Sequence, residues 1–182
     1  MPCFFIDLNK LLGYYKIMII LGIDPGYAIV GWGVIEKLNN GKCKVIDYGA
    51  ILTDKDLPLP ERLVAIDNSM EKLIDHFKPS DLAIEELFFN TNTTTAIKVA
   101  EARGVVITKA QKMGVKIYEY TPLQIKQGLT GYGRAEKSQI QFMTKTLLGL
   151  SKVPKPDDTA DALAVALTHA QTNNTIKSNL LI

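Results

Sequence analysis

The hydrophobic residues of this chain follow two patterns, short continuous runs and a spacing of three to four residues. The first run, at 19–23, ends in Asp24, Pro25 and Gly26. An uninterrupted apolar run bounded by turn residues is typical of a strand that is buried on both faces. The pattern therefore predicts a buried strand that carries a carboxylate at its end.

Two more strands are predicted directly after this one. Residues 28–37 and 44–52 are rich in β-branched residues, and the Asn39-Asn40-Gly41 segment between them is a strong turn signal. Because the connections are short, the three strands are expected to form an antiparallel meander.

A helical spacing appears after residue 60. Six apolar residues at intervals of one, three and four predict an amphipathic helix over 61–77, which Pro79 ends. The same spacing predicts further helices over 96–112, 135–148 and 157–170. Short strands are predicted at 81–87 and 115–120. Because a helix separates residues 81–87 from the meander, we expect an α/β fold with a mixed, five-stranded sheet.

Acidic residues occur at equivalent places in this pattern. Glu85 lies near the end of its predicted strand, as Asp24 does in the first strand, and parallel strand ends meet at one edge of a sheet. Asp158 and Asp161 are three positions apart and therefore share one face of a helix. These four carboxylates are the candidate site.

Clustered carboxylates either share protons or bind cations. Oxygen ligands without neighbouring Cys or His favour Mg²⁺ or Mn²⁺ over zinc. Two such ions, about 3.5 to 4 Å apart, can activate a water and stabilise the leaving oxygen in phosphodiester hydrolysis.

Simpler interpretations of the acids stay open. Asp24 would cap the Pro25-Gly26 turn. Asp157 or Asp158 would be the N-cap of the last helix, with Asp161 facing its dipole. We favour the N-cap for Asp157 and the site for Asp158 and Asp161.

Composition places the chain among globular proteins. Its 182 residues suit one domain, and 47% hydrophobic with 22% charged residues argues against disorder. Cys3 and Cys43 match neither a disulfide framework nor a zinc site. No apolar run is long enough to cross a membrane, and residues 1–17 lack the features of a signal peptide. We expect a cytoplasmic protein.

The charge is distributed unevenly along the chain. Residues 98–155 contain eleven Lys or Arg and three acids, a net charge of +8, and the rest of the chain carries −6. This division favours a polyanionic partner, although solvated helix faces would give the same count. Lys137 follows the Gly131-Tyr132-Gly133 loop at the start of a predicted helix, a place that suits a phosphate.

From Met18 to about His169 the chain resembles the RuvC family of bacterial Holliday-junction resolvases. The resemblance is carried by motifs in the family's order, which are Gly-Ile-Asp-Pro-Gly at 22–26, Ala-Ile-Glu-Glu-Leu-Phe at 83–88, Ala-Arg-Gly at 102–104, Gln-Ile-Lys-Gln at 124–127, Gly-Arg-Ala-Glu-Lys-Ser-Gln at 133–139 and Asp-Asp-Thr-Ala-Asp-Ala-Leu-Ala at 157–164. Each motif is weak alone, and their ordered sum over nearly the whole chain is specific.

The resemblance implies a ribonuclease H-like fold and a structure-selective endodeoxyribonuclease that resolves four-way DNA junctions by paired nicks. The four acids would be catalytic metal ligands for Mg²⁺ or Mn²⁺, with two ions per subunit. Lys126 and Lys137 would lie near the scissile phosphate, with Lys137 catalytic. Phe88 would stack on a junction base, as aromatic side chains do on any nucleobase.

Further DNA contacts are expected from Asn92, Arg103, Tyr132 and Arg134. The expected partners are four-way junction DNA, a second copy of the chain in a homodimer that uses the helix around 96–110, and the RuvA-RuvB branch-migration complex. His76 and His169 are expected to be non-catalytic, and Phe89 is expected in the core.

The N-terminus departs from the family, whose members start a few residues before the first aspartate. We expect Met18 to be the native start and residues 1–17 to be an extension that is not native. The nuclease domain is expected over 18–171 and a flexible tail over 172–182.

Three other functions fit part of the sequence. A Gly-Ile-Asp strand also opens actin-like and Hsp70-like ATPases, which need two such halves where this chain has one. The others are a ribonuclease H-like nuclease with another nucleic-acid specificity and a junction-binding module without catalysis.

Overall fold

The computed structural model of the protein describes residues 18–87 and 93–182. Five strands form one mixed sheet, and they are β1 (Met18–Asp24), β2 (Ile29–Lys37), β3 (Cys43–Leu52), β4 (Asp81–Glu85) and β5 (Lys116–Tyr120). Their order is β3-β2-β1-β4-β5. The first three are antiparallel neighbours, while β4 runs parallel to β1 and β5 parallel to β4. The predicted meander and mixed sheet are confirmed.

The helices in the described ranges are α1 (Leu59–Phe77), α2 (Thr93–Lys112), α3 (Pro122–Thr130), α4 (Lys137–Leu147), α5 (Asp157–Gln171) and α6 (Asn174–Lys177). Helix α4 begins two residues later than predicted. The Gln139 side-chain oxygen accepts a hydrogen bond from the Glu136 backbone N–H at 2.9 Å, which fixes Glu136 as the N-cap. None of the helices in this part of the chain has the length and apolar content of a membrane span.

A separate hydrophobic core lies on each face of the sheet. Leu21 and Ile23 of β1 pack with buried residues of α1 and α2, whereas Ile20 packs with buried residues of α3, α4 and α5. Side chains alternate along a strand, so Asp24 points to the same face as Ile20. By the same rule Glu85 shares the face of Ala83, which belongs to the core that includes α5.

Helix α5 lies unusually close to the sheet. A Cβ atom added at Gly22 would be 2.1 Å from the Ala162 carbonyl oxygen, and one added at Gly31 would be 2.0 Å from the Asp158 carbonyl oxygen. No side chain fits at these distances. The two glycines therefore let the first turns of α5, which carry Asp158, rest directly against β1 and β2.

The segment 172–182, for which a flexible tail is expected, packs its last residues against β5. The Glu119 backbone N–H donates to the Leu180 carbonyl at 2.9 Å, and the Ile182 N–H donates to the Ile117 carbonyl at 3.0 Å. The physical reason is that β5 is an edge strand with unpaired backbone groups, which the last residues satisfy.

A buried polar network also holds this segment. His169 is fully buried, with Nδ1 2.7 Å from the Tyr120 hydroxyl and Nε2 2.9 Å from Asp81. The Lys177 ammonium of α6 lies 2.9 Å from the same Nε2 atom. Asp81 begins β4 and Glu85 ends it, so the network lies at the opposite end of the strand from the candidate site. This position supports the expected non-catalytic role of His169.

Candidate active site

The structure brings the four predicted acids together at the C-terminal ends of β1 and β4. Asp24 is the last residue of β1 and Glu85 the last residue of β4, and the two strands are parallel neighbours with Ile23 opposite Ile84. Asp158 and Asp161 reach the same place from the first turns of α5. The Asp24 carboxyl experiences the charges of all three other acids.

Burial and repulsion by neighbouring acids disfavour the ionised forms of Asp24, Glu85 and Asp161. Burial, reinforced by the charges of Glu85, Asp161 and Asp158, raises the pKa of Asp24 to about 8. Burial and then Asp161 raise the pKa of Glu85 to about 7. Burial also raises the pKa of Asp161. The negative charges of these carboxylates are therefore not fully balanced by nearby positive charge.

Two lysines supply part of the missing positive charge. The Lys137 ammonium lies 2.8 Å from Asp161 Oδ2, and this hydrogen bond raises the pKa of Lys137. Lys126 and Lys137 line a cleft of about 200 Å³ together with Glu85 and Asp161. Both lysines therefore lie beside two of the acids, and their expected place near a scissile phosphate stays a prediction.

The donor set fits a hard divalent cation in its chemistry. All four acids offer oxygen ligands, and a dication would offset the burial and the repulsion that together raise the pKa values of Asp24 and Glu85. In residues 18–87 and 93–182, no three acid, His or Cys side chains are grouped closely enough to hold one ion as they stand. Because Lys137 already contacts Asp161, side-chain rotation would have to accompany metal binding.

Asp157 is not the N-cap that the sequence predicts. Pro156 occupies the N-cap position, and Asp157 is the first residue of α5. The carboxylate of Asp157 pairs instead with Lys155, which lowers its pKa, and lies 3.6 Å from Lys137. An ion pair with a neighbouring lysine has replaced the backbone cap.

The predicted DNA contacts fall into three groups. Tyr132, with 57% of its surface exposed, and Arg134, also exposed, lie on the loop that precedes α4. Arg103 is ion-paired to Glu119 of β5 with only 17% of its side chain exposed, which argues against a DNA contact. Phe88 and Asn92 lie outside the described residues, as does Phe89.

Sequence reasoning missed a cationic cluster around Tyr27, in the segment that joins β1 to β2. The guanidinium carbon of Arg62, on α1, lies 4.7 Å from the centre of the Tyr27 ring. The ammonium of Lys98, on α2, lies 5.5 Å from the same point. An arginine or lysine on a predicted helix gives no such signal, because it is usually a solvated residue.

The model of the family described as "Crossover junction endodeoxyribonuclease RuvC" matches residues 20–169. The chain belongs to the RuvC family. Among its relatives, the RuvC of Alkaliphilus oremlandii is 59% identical over 157 residues, which cover 86% of this chain and 95% of the relative. The RuvC of Brevibacillus brevis is 55% identical over 154 residues, 85% of this chain and 92% of the relative.

Solved structures agree with this membership. Thermus thermophilus RuvC "in complex with Holliday junction substrate" is similar with a TM-score of 0.82 and 35% identity, covering 90% of this chain and 98% of that one. The yeast mitochondrial Holliday junction resolvase Ydc2 has a TM-score of 0.65 at 15% identity, which shows the shared fold alone. The likeness to solved RuvC structures thus confirms the predicted ribonuclease H-like fold of this chain.

Proposed function

We propose that this protein is a crossover junction endodeoxyribonuclease, which resolves four-way DNA junctions by nicking two strands. The observation that carries the proposal is the convergence of Asp24, Glu85, Asp158 and Asp161 beside Lys137 in a chain of the RuvC family. The Thermus relative whose fold this chain shares is described with a Holliday junction substrate.

The carboxylates would hold the divalent ions. Asp24 and Glu85, at the two strand ends, would contribute ligands from the sheet, and Asp158 and Asp161 would complete the set from α5. Two Mg²⁺ or Mn²⁺ ions would activate a water and stabilise the leaving oxygen of the phosphodiester.

The lysines would serve the phosphate. Lys137 lies 2.8 Å from Asp161, so its ammonium is already beside the place where negative charge would develop. Lys126 faces the same cleft and would hold a non-bridging oxygen.

Burial and like charges raise the pKa values of Asp24 and Glu85, so these two acids would ionise fully only when a cation is bound. Binding of the metal ion would therefore be coupled to ionisation of the acids that hold it.

The basic half of the chain would supply affinity for DNA. Tyr132 and Arg134 lie on the loop before α4 and would contact a strand that reaches Lys137. Phe88 would stack on an unpaired base and Asn92 would bind nearby. Because phosphate contacts dominate non-specific affinity, removing one acid should leave junction binding largely intact.

Paired nicks require two sites, so we infer a homodimer with α2 at the interface. Ile97 on this helix is 61% exposed, so its apolar side chain is available to a second copy of the chain. The RuvA-RuvB complex is the partner that we propose for positioning the dimer on a junction, in the cytoplasm.

A cleavage assay with purified protein tests the function. End-labelled four-way junction, linear duplex and flap DNA are incubated with Mg²⁺, with Mn²⁺ or with EDTA. We expect metal-dependent nicking of the junction and little of the other two. Equal nicking of duplex or flap would indicate a nuclease of another specificity, and binding without nicking would indicate an inactive junction-binding module.

A further inference from the structure

The cluster around Tyr27 contains an unusual cation. Arg62 is 9% exposed, and its Nε donates a 2.8 Å hydrogen bond to the Thr53 hydroxyl. Among the described residues its terminal nitrogens have no hydrogen-bond acceptor, and no carboxylate pairs with it or with Lys98. The terminal nitrogens of Arg62 are not among the buried polar atoms that lack a partner in the described residues, so they keep contact with solvent and are open to an anion. The Tyr27 ring offsets part of the cost of holding the charge there.

The cluster is attached to the chain immediately after the first acid. The Thr53 hydroxyl donates to the Tyr27 carbonyl at 2.7 Å, which joins Arg62, Thr53 and Tyr27 in one bonded unit. Tyr27 is three residues beyond Asp24, so at most about 11 Å of chain separates them. The chain therefore keeps Tyr27 close to the first acid.

The cluster and Lys137 lie on opposite faces of the sheet. Helices α1 and α2, which carry Arg62 and Lys98, cover the face of Leu21 and Ile23, and α4 covers the other face. A DNA strand that crosses the sheet edge at Asp24 and Glu85 would thus meet Lys137 on one side and the Tyr27 cluster on the other.

We propose that Arg62 and Lys98, held at the Tyr27 ring, bind a phosphate of the substrate strand adjacent to the one that is cleaved. A guanidinium presents a planar fork of N–H donors and an ammonium a compact charge, and together they suit the oxygens of one phosphate. This second contact would fix the direction of the strand across the acids. The inference rests on the proposed function.

The dependence of junction binding on salt tests the contact directly. Each protein–phosphate contact contributes a slope of about −0.9 to a plot of log K against log salt. In EDTA, we expect Lys98→Ala to reduce the magnitude of the wild-type slope, by at most about 0.9 because Arg62 stays beside the same phosphate. Lys72→Ala is the matched control, because Lys72 is exposed on α1 ten residues beyond Arg62, about 15 Å along the helix axis, and should leave the slope unchanged.

Replacing single phosphates by uncharged methylphosphonates identifies the phosphate that the Tyr27 cluster contacts. Junctions carrying one methylphosphonate at successive positions of the cleaved strand are bound by the wild type and by Lys98→Ala. We expect one position, next to the scissile phosphate, where neutralisation weakens wild-type binding several-fold and weakens the variant less, because only Arg62 remains at that phosphate in the variant. Arg62→Lys keeps the charge and loses the fork, and should weaken binding mainly at that same position.

The outcomes separate the inference from the function on which it rests. If the wild type fails to nick the junction in Mg²⁺, the proposed function is wrong. If the wild type nicks it while Lys98→Ala keeps the wild-type slope, or if every methylphosphonate weakens both proteins equally, the phosphate contact is wrong and the nuclease stands. Because Lys98 is only half-buried, Lys98→Ala should fold, which far-UV circular dichroism checks.

Discussion

At the scale of single residues, the site combines anions that repel one another with a lysine that is already in place. Lys137 is 56% exposed at its side chain and yet lies 2.8 Å from Asp161. Because the Lys137 side chain is exposed, holding its charge there costs little desolvation free energy, and its ammonium can contact an incoming phosphate. The charge at this position should therefore matter more for the rate than for the fold.

Lys137→Ala should slow junction cleavage by about 100-fold, the usual effect of losing one group that stabilises developing charge. The stability of the protein should change by less than about 1 kcal/mol, since exposed ion pairs contribute little. Single-turnover cleavage rates check this, with Lys145→Ala, on the same helix, as the control. A rate within twofold of the wild type would remove Lys137 from the site.

The raised pKa values of the acids predict how stability depends on pH without metal. The pKa values of Asp24 and Glu85 in the folded protein are about 8 and about 7, above their ordinary values, so these two acids bind more protons in the folded protein than in the unfolded chain between about pH 4 and pH 8. Their contribution to stability in EDTA should therefore fall as pH rises through this window and level off above about pH 8.

Asp24→Asn should remove most of that fall and raise the melting temperature at pH 8 in EDTA by at least about 2–4 °C, which corresponds to about 1 kcal/mol. Mg²⁺ should stabilise the wild type at pH 8 and the variant much less. Thermal melts at pH 5 and pH 8 check both statements. A variant that is less stable than the wild type at pH 8 would show that Asp24 is compensated in the folded protein.

At the scale of elements, the contact of α5 with the sheet decides whether the acids meet. Gly31→Ala would place a methyl group 2.0 Å from the Asp158 carbonyl oxygen, so α5 would have to move. We expect a loss of about 1–3 kcal/mol in the free energy of unfolding, the usual cost of overpacking, and a large loss of cleavage.

Gly104→Ala is the control for this substitution. Gly104 lies within α2 with open space around its Cβ position, so alanine should raise the free energy of unfolding by about 0.5–1 kcal/mol. Urea unfolding of both variants measures the difference. A Gly31→Ala protein with wild-type stability and cleavage would show that α5 adjusts without moving its acids.

The elements also show how far sequence reasoning reaches. Apolar runs predict the strands and their terminal acids, because Asp24 and Glu85 follow local patterns. The meeting of strand ends follows from the parallel arrangement that an intervening helix requires. The helical pair Asp158 and Asp161 is predicted by spacing alone, and the family resemblance supplies the roles of the lysines.

Contacts between residues that are far apart in the sequence could not be predicted from its patterns. Arg62 and Lys98 converge on Tyr27 from two helices, and no periodicity relates their positions. The packing of the C-terminal segment depends on Lys177 reaching His169 and on backbone pairing with β5, which polar composition does not reveal. The N-cap predicted at Asp157 is wrong because Pro156 occupies that position and Asp157 is the first residue of α5.

At the scale of the whole molecule, two symmetric nicks require two copies of the site. Ile97→Asp would place a charge on the exposed apolar position of α2, and we expect it to convert the proposed dimer to monomer in sedimentation experiments. Leu52→Asp, at a 70% exposed position on β3, is the control and should leave the dimer intact. A variant at Ile97 that stays dimeric would place the interface elsewhere.

The division of charge suits this assembly. The segment 98–155 carries +8 and contains α3, α4 and the loop between them, together with β5 and most of α2. Binding of junction DNA should therefore weaken steeply with salt, while cleavage of bound DNA should depend on the acids.

The most direct test of the central claim is strand-resolved cleavage of a four-way junction by the wild type and by Asp24→Asn in Mg²⁺. With each strand labelled in turn, the wild type should produce two nicks at symmetric positions in opposing strands. Asp24→Asn should bind the junction with similar affinity and cleave it at least about 100-fold more slowly. Wild-type cleavage by Asp24→Asn, or unpaired nicks that occur equally in linear duplex, would contradict the account.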